Sequence, residues 1–465
     1  MNRQADRKID FLQGAPFGQI LRFSLPLAAT GVLQLLFNAA DTIVVGKFSG
    51  SNSLAAVGAT GSLINLLIGA FIGISIGANI LIARYIGSRQ REKTGTAVHT
   101  SLVLSLILGA LVTALGLVFS EPMLRMMDTP DEILPLSALY LRIYFLGMPG
   151  SVLYNFGAAI LRADGDTKRP LIFLSVSGAV NVILNLVLVI VFRLDVAGVA
   201  IATTVSQYVA VALLLRSLFH EEGWCRVELK KLRMDWREAL RMIQIGLPAG
   251  LQSVIFNISN VMIQQAVNSF GSVVIAANTA AANLGNFTYT AMNAVFNAVV
   301  TFTSQNLGAG KLSRIGKIYT GGIAAVLLIG VPMCVGSVVF GRPLLSVYIA
   351  RTDPDYARII DTGMVRLWWV ALPYFLCGIM EVCCGMVRGL GRAWLPMFVS
   401  AAGSCLLRII WIKTLFAADP TLPCLYVSYP VSWVLTSLAH LVCYILIFRR
   451  IQKQMPGAAC GNSEE

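Results

Sequence analysis

The chain has 465 residues, of which 56% are hydrophobic and 13% charged, with a mean hydropathy of +0.73 and a formal net charge of +13. A soluble domain carries roughly 25% charged and 45–50% apolar residues, so a soluble enzyme or nucleic-acid-binding domain is excluded and a bilayer is the expected solvent. The basic excess then has to be explained by membrane topology.

A window of about 19 residues gives twelve candidate spans, at 18–46, 53–85, 97–120, 134–160, 170–192, 196–218, 240–268, 273–306, 317–341, 357–387, 394–416 and 425–448. Each exceeds the roughly 20 residues that cross about 30 Å of hydrocarbon. Helices are expected throughout, because an unpaired backbone amide in lipid is too costly. The period-two alternation of a barrel is absent. The N-terminus opens on Arg3, Asp6, Arg7, Lys8 and Asp10, so no cleavable signal peptide is expected.

Span one carries Pro26, which removes a backbone hydrogen bond and predicts a hinge. Beyond it Thr30, Gln34, Asn38 and Asp41 fall at i, i+4, i+8 and i+11, one continuous polar face. Asp41 and Glu381 are the two acids placed well inside a span, and a carboxylate in hydrocarbon is a functional candidate by default. In span two, Gly69, Gly73 and Gly77 form a ridge for close helix packing. Ser177, Asn181 and Asn185 share a face of span five, as do Thr203 and Gln207 in span six.

The linker around 219–240 is read as a helix on the membrane surface, with Trp224 and Trp236 at the interface. It ends in Asp235 and Glu238, spaced as a capping box. Span seven presents Asn257, Asn260, Gln264 and Asn268, and span eight Asn283, Asn286, Thr290, Asn293, Asn297 and Thr301. Such stripes either hydrogen-bond neighbouring helices or line a wet cavity. Glu381 in span ten admits a functional or a packing role. In span eleven Arg408 either faces a cavity or pairs with Glu381, while Lys413 is expected to snorkel. His440 in span twelve reads as packed, and nine cysteines in no zinc spacing read as reduced thiols.

The chain repeats itself. Leu25-Pro26 recurs 222 residues on as Leu247-Pro248, Arg84 to Gly87 at an offset of 221 as Gln305 to Gly308, and Arg162 to Gly165 with Pro170 at 226 as Arg388 to Gly391 with Pro396. Internal repeats in very apolar chains mark secondary transporters. Residues 1–225 and 226–465 are therefore read as two pseudo-symmetric six-helix lobes, related by an axis along the membrane normal, with a cavity between them. About 26 of the 36 Lys and Arg fall on one side, which places both termini in the cytoplasm.

Phe23-Ser24-Leu25-Pro26, Asn38-Ala39-Ala40-Asp41-Thr42, Ala163-Asp164-Gly165-Asp166, Asn181-Val182-Ile183-Leu184-Asn185, Gly198 to Thr203 and Val387-Arg388-Gly389-Leu390-Gly391 occur in an order and spacing that carry a resemblance. The chain resembles the multidrug and toxic compound extrusion (MATE) transporters, in the bacterial branch related to DNA-damage-inducible proteins. The resemblance implies an efflux antiporter in the bacterial plasma membrane, exporting amphipathic, often cationic, drugs or toxic metabolites. It also implies that Asp41 is the ion-coupling carboxylate, with Asn181, Asn185 and Thr203 beside it. Many relatives carry Asp where Asn185 stands. The missing charge weakens a sodium site and favours H+ over Na+ as the coupling ion. Gln34, Asn38, Asn257, Asn260, Gln264 and Glu381 are the expected substrate-cavity residues.

No phosphate-cradling loop for a primary pump occurs, and no paired acid, metal cluster or nucleophile with a base for an enzyme. A passive channel suits a two-lobe repeat less well, and a lipid-linked oligosaccharide flippase of the broader superfamily needs more spans or a strongly cationic cavity. Neither a cofactor nor a nucleic-acid partner is expected, and the chain is read as a monomer in the bilayer. Cysteine-accessibility labelling is expected to find residues 225–235 on the cytoplasmic side; labelling from outside intact cells would overturn this topology.

Overall fold

The computed structural model describes residues 8–349 and 351–454, apart from the side chains of Ser51, Ser62 and Leu66. Arg3, Asp6, Arg7 and Cys460, which entered the charge, terminus and cysteine readings, lie outside the described residues. Helices carry the fold: α1 Pro16–Phe48, α2 Ser51–Gly87, α3 Arg91–Met126, α4 Leu134–Leu146, α5 Met148–Ala163, α6 Lys168–Asn185, α7 Asp195–Phe219, α8 Trp236–Asn268 and α9 Ser272–Gly308. They continue with α10 Leu312–Val339, α11 Gly341–Ser346, α12 Tyr356–Arg366, α13 Phe375–Gly389, α14 Trp394–Ser400, α15 Leu407–Lys413, α16 Leu415–Ala418 and α17 Leu422–Gln454.

Among the described residues ten spans are long and apolar enough to cross a membrane, and α4 with α5, bent by 45° at Gly147, makes an eleventh. The twelfth of the sequence reading is α9, whose 37 residues span easily but whose Asn and Thr stripe dilutes its hydropathy. Spans five, ten and eleven each contain a wide π-type turn, at Leu186–Val191, Leu367–Ala371 and Ala401–Leu406. Such insertions concentrate at functional sites.

The repeat is written in the backbone. Gly50 and Gly271, which precede α2 and α9, stand at φ 89° and 90°, and Gly165 and Gly391, after α5 and α13, both stand at 88°. Residues with a Cβ rarely adopt this region. Two copies of one chain path therefore needed glycine at the same two corners.

The chain divides into two compact units that do not end where the repeats do. One comprises residues up to Ile9 and Ala29–Gly250, and the other Asp10–Ala28 and everything from Leu251. Both switches lie inside helices, two or three residues beyond Pro26 in α1 and Pro248 in α8. In the first unit the early turns of α8 lie against α2. A Cβ on Gly77 would strike the Met242 carbonyl, one on Gly73 the Gly250 backbone, and one on Gly246 would lie 2.5 Å from the Ile74 Cα. The glycine ridge thus serves close packing, and it is what assigns residues 236–250 to this unit. In the second unit Phe11 packs edge-on to Phe302 at 4.4 Å and to Phe23 at 5.6 Å. Asn306 Nδ2 donates to the Phe11 carbonyl at 3.0 Å, and Arg314 Nη2 to that of Gln13 at 2.9 Å.

The linker departs from the sequence reading. In place of a surface helix there is one short turn, Leu229–Lys231, and an extended return across α3 and α7. Val227 N donates to Leu218 O at 3.1 Å and Glu228 N to His99 Nε2 at 3.0 Å, with Cys225 and Val227 buried. These apolar and hydrogen-bonded residues find partners in the fold, so the segment does not float on the headgroups. The capping box is only half made. Asp235 Oδ1 accepts from the Arg237 and Glu238 amides at 2.9 and 3.1 Å, while the Glu238 carboxylate turns to Tyr85 and Arg241 at 2.8 and 2.7 Å. Asp235 N donates instead to Thr100 Oγ1 at 3.2 Å.

Lys8 closes a latch at the first unit's polar end. Its Nζ lies 2.5 Å from Asp164 Oδ2 and 2.8 Å from Glu221 Oε1, and Arg169 Nη1 reaches Glu221 Oε2 at 2.6 Å. Burial alone would lower the Lys8 ammonium, but Asp164 and Glu221 outweigh it and raise it above the ordinary lysine value. Burial alone would raise Glu221, but hydrogen bonds from Lys8 and Arg169 outweigh it and hold it low. Asp164 is raised by burial against the pull of Lys8. Stability from Lys8 is complete below about pH 10.4 and fades as pH rises through its raised native value. Stability from Glu221 is complete above about pH 4.3 and fades as pH falls through its depressed native value. Asp164 works with the opposite sign, gaining stability as pH falls. Thermal unfolding in detergent is expected to show an acid-side loss below about pH 4.3 that shrinks in Glu221→Gln; an unchanged acid limb would remove Glu221 from the latch.

Candidate functional site: a carboxylate held by amides and hydroxyls

The first unit brings four predicted residues together inside the spans. Gly178 lets α6 approach α1 so closely that a Cβ there would enter the Phe37 ring. About one turn further along α1 and two along α6, Asn185 Nδ2 donates to Asp41 Oδ1. Thr203 Oγ1, on α7, donates to Asp41 Oδ2 at 3.4 Å. Asn181 closes the ring, donating from Nδ2 to Thr203 Oγ1 and accepting from Asn185 Nδ2, both at 3.3 Å. Asn181 and Asn185 are buried, while Asp41 and Thr203 are half-buried. Tyr140 and Tyr144, stacked with ring centroids 6.1 Å apart, stand within electrostatic reach of Asp41. The sequence reading did not single them out, since tyrosine in an apolar span carries no signal of its own.

Three features fix what this ring can do. Among the described residues no Lys, Arg or His pairs with Asp41. Asn185 presents a donor where an aspartate would present a second charge, so a carboxylate lone pair is already taken. Asn185 Oδ1 is buried without a partner among the described residues, and no cluster of three His, Cys, Asp or Glu occurs there. A carboxylate with two donors can exchange one proton; when it is neutral, one oxygen becomes a donor and the group is a weaker acceptor for the two that hold it.

The other predicted residues separate. Gln34 and Asn38 are exposed on α1 and Asn257 and Asn260 on α8, where amides require water or a polar partner. In the second unit Asn260 and Gln264 line a cavity of about 250 Å³ together with Asn278, Arg366, Tyr374 and Tyr429. Glu381 is buried on α13 and does not line that cavity. The span-eight stripe is satisfied largely along its own helix, as Asn297 Nδ2 donates to the Asn293 carbonyl at 2.9 Å and Thr301 Oγ1 to that of Asn297 at 2.8 Å. Of the stripe, Asn286 lines the cavity, next to Asn278 of the same helix, which the sequence reading did not include.

Arg408 does not pair with Glu381. Its Nε donates to Ser432 Oγ at 2.9 Å and its guanidinium lies 4.3 Å from the centroid of Tyr429. His440 Nε2 meets Ser400 Oγ at 3.0 Å, as a packed histidine should, and Lys413 is exposed. Arg366 was missed. Ten residues into span ten, it reads as an ordinary helix-end base until the break after it is seen.

A duplicated set of six membrane spans with a hydrogen-bonded acid in its interior is the architecture of a secondary transporter. The MatE family model matches residues 26–187 and 248–412, one stretch in each repeat. The chain belongs to this family, the MATE multidrug transporters. It is 30% identical over 383 residues to the probable multidrug resistance protein YpnP of Bacillus subtilis, covering 82% of this chain and 84% of that protein. It is 28% identical over 387 residues to the probable multidrug resistance protein YoeA of the same organism, covering 81% and 82%. A solved multidrug resistance MATE family transporter in an outward-facing conformation superposes with a TM-score of 0.88 at 22% identity, over 95% of this chain and 98% of that one.

Asn185→Asp is expected to add the charge that the ring lacks. Sodium chloride, compared with choline chloride, should then raise the thermal stability of the variant and leave the parent unchanged; a parent that responds equally would mean that the ring already holds sodium.

Proposed function

We propose that this protein exports small organic molecules in exchange for protons, with Asp41 as the proton carrier. The observation that carries the reading is the Asp41 carboxylate inside span one, held by Asn185 and Thr203 with no cation beside it among the described residues. Its relatives' names, as multidrug resistance proteins, support a small-molecule cargo. The donor at Asn185, in place of a second acid, supports H+ over Na+.

The ring supplies a switch. In the ionised form Asp41 ties α1 to α6 and α7 through its two oxygens. Protonation turns one oxygen into a donor and removes the charge, so the bonds from Asn185 and Thr203 weaken and rearrange, and the three helices regroup. Pro26 gives α1 a place to bend without breaking a strong hydrogen bond. Proton and substrate then oppose one another, and linkage makes the opposition reciprocal. A membrane potential contributes about 2.3 kcal/mol per charge per 100 mV and a pH unit about 1.4 kcal/mol. One proton per cycle thus sustains gradients on the order of 100-fold. The cell membrane of a bacterium, with both termini in the cytoplasm, is the setting that the charge asymmetry favours.

In proteoliposomes with an imposed pH gradient, Asp41→Asn is expected to abolish dye efflux while the protein stays folded and inserted. Full gradient-driven efflux by that variant, or efflux driven equally by sodium alone, would overturn the assignment.

A further inference from the structure

The repeat offsets turn the acid ring into a map for the second unit. An offset of 222 carries Asp41 to Ile263, and an offset of 226 carries Tyr140 to Arg366 and Thr203 to Tyr429. All three counterparts line the same 250 Å³ cavity. The acid of the first ring is replaced by Ile263, and a base, Arg366, stands where the first unit has Tyr140; no acid lines this cavity among the described residues.

Arg366 is built in. It ends α12 where span ten breaks into its π-type turn, and Tyr374, just past that turn, also lines the cavity. Its Nη1 donates to Asn278 Oδ1, which also accepts from the Tyr426 hydroxyl at 3.4 Å, while Asn278 Nδ2 donates to Gln264 Oε1 at 3.0 Å. The guanidinium lies 5.7 and 5.8 Å from the ring centroids of Tyr426 and Tyr429. No carboxylate pairs with it among the described residues, and Arg408 adds a second cation, 4.3 Å from the Tyr429 ring centroid. Arginine does not neutralise itself by losing a proton. A part-buried guanidinium without a counter-ion is incompletely compensated, and an incoming anion completes it with charge-assisted, bidentate hydrogen bonds.

From this we infer that the second unit carries a binding site for an aromatic organic anion, its carboxylate or phosphate group on Arg366 and its ring against Tyr429 and Tyr374. The cavity sits just below the roughly 300–1,000 Å³ of drug-sized sites, which suits one or two fused rings with one acidic group. The inference rests on the export reading only in making that anion a cargo; the site itself stands on the geometry.

The test is calorimetry on the full chain in nanodiscs, corrected with empty discs. It compares 1-naphthoate with its neutral alcohol, 1-naphthalenemethanol, and its cation, 1-naphthylmethylammonium. Naphthoate should bind at least tenfold more tightly than either. Arg366→Gln should weaken naphthoate tenfold or more, and Arg366→Lys should fall between, keeping the charge without the fork. Tyr429→Leu should erase the preference for naphthoate over acetate. Equal binding of naphthoate and the alcohol, or naphthoate affinity unchanged in Arg366→Gln, overturns the site. Should the Gln variant not fold, the Lys variant and the anion-over-alcohol ratio decide the matter. Dye efflux that persists without naphthoate binding removes the site alone; naphthoate that binds but is not moved by a pH gradient removes it as cargo and leaves the site.

Discussion

A charge inside the membrane has to be answered by the protein, because no water there will do it. Asp41 is answered by an amide and a hydroxyl, and everything proposed for the first unit follows from that choice. A lysine or arginine partner would have locked the carboxylate in its ionised form. A second acid would have invited a metal ion. On the function proposed above, two neutral donors on two other helices leave it free to exchange a proton, and the bonds it remakes carry the exchange to α6 and α7.

The second unit answers the same problem with the opposite sign. Arg366, Arg388 and Arg408 lie in its interior with Glu381, and each guanidinium is held by neutral groups: Asn278, Gln252 and Ser432 respectively. Arg388 and Arg408 also lie over aromatic faces, at 5.5 Å from Phe296 and 4.3 Å from Tyr429. Neutral partners and rings compensate a buried cation incompletely, which is tolerable for packing and favourable for recognition. On the two proposals above, the duplicated units have two kinds of interior, one suited to moving a proton and one suited to receiving an anion.

The two helices that begin the repeats are built differently from the rest. Both α1 and α8 change compact unit along their length, and in both the change falls just beyond a proline in register with the other. A proline lacks the amide that would stiffen the next turn, so the place where each helix changes surroundings is also where it bends at least cost.

Composition, periodicity and offset made most of the fold legible. Twelve spans, the duplication and the glycine ridge follow from what lipid excludes and from what a repeated path requires of its glycines. Asp41 stood out because a carboxylate in an apolar span is costly enough to be conspicuous, while Asn181, Asn185 and Thr203 were set beside it by the family resemblance. The linker was not legible, since its apolar residues look the same whether they face headgroups or helix α3, and only the folded contacts with Leu218 and His99 decided it. Nor was the assignment of residues 236–250 to the first unit, which depends on two glycine surfaces meeting across 170 or so residues of sequence. Arg366 was hidden for a similar reason. A base near a helix end is ordinary in sequence, and it became a site only when the break in span ten, Asn278 and Tyr429 converged on it. Sequence fixes which groups the membrane will penalise, one residue at a time. Tertiary structure decides which of them are compensated, because compensation needs a second group brought from far along the chain.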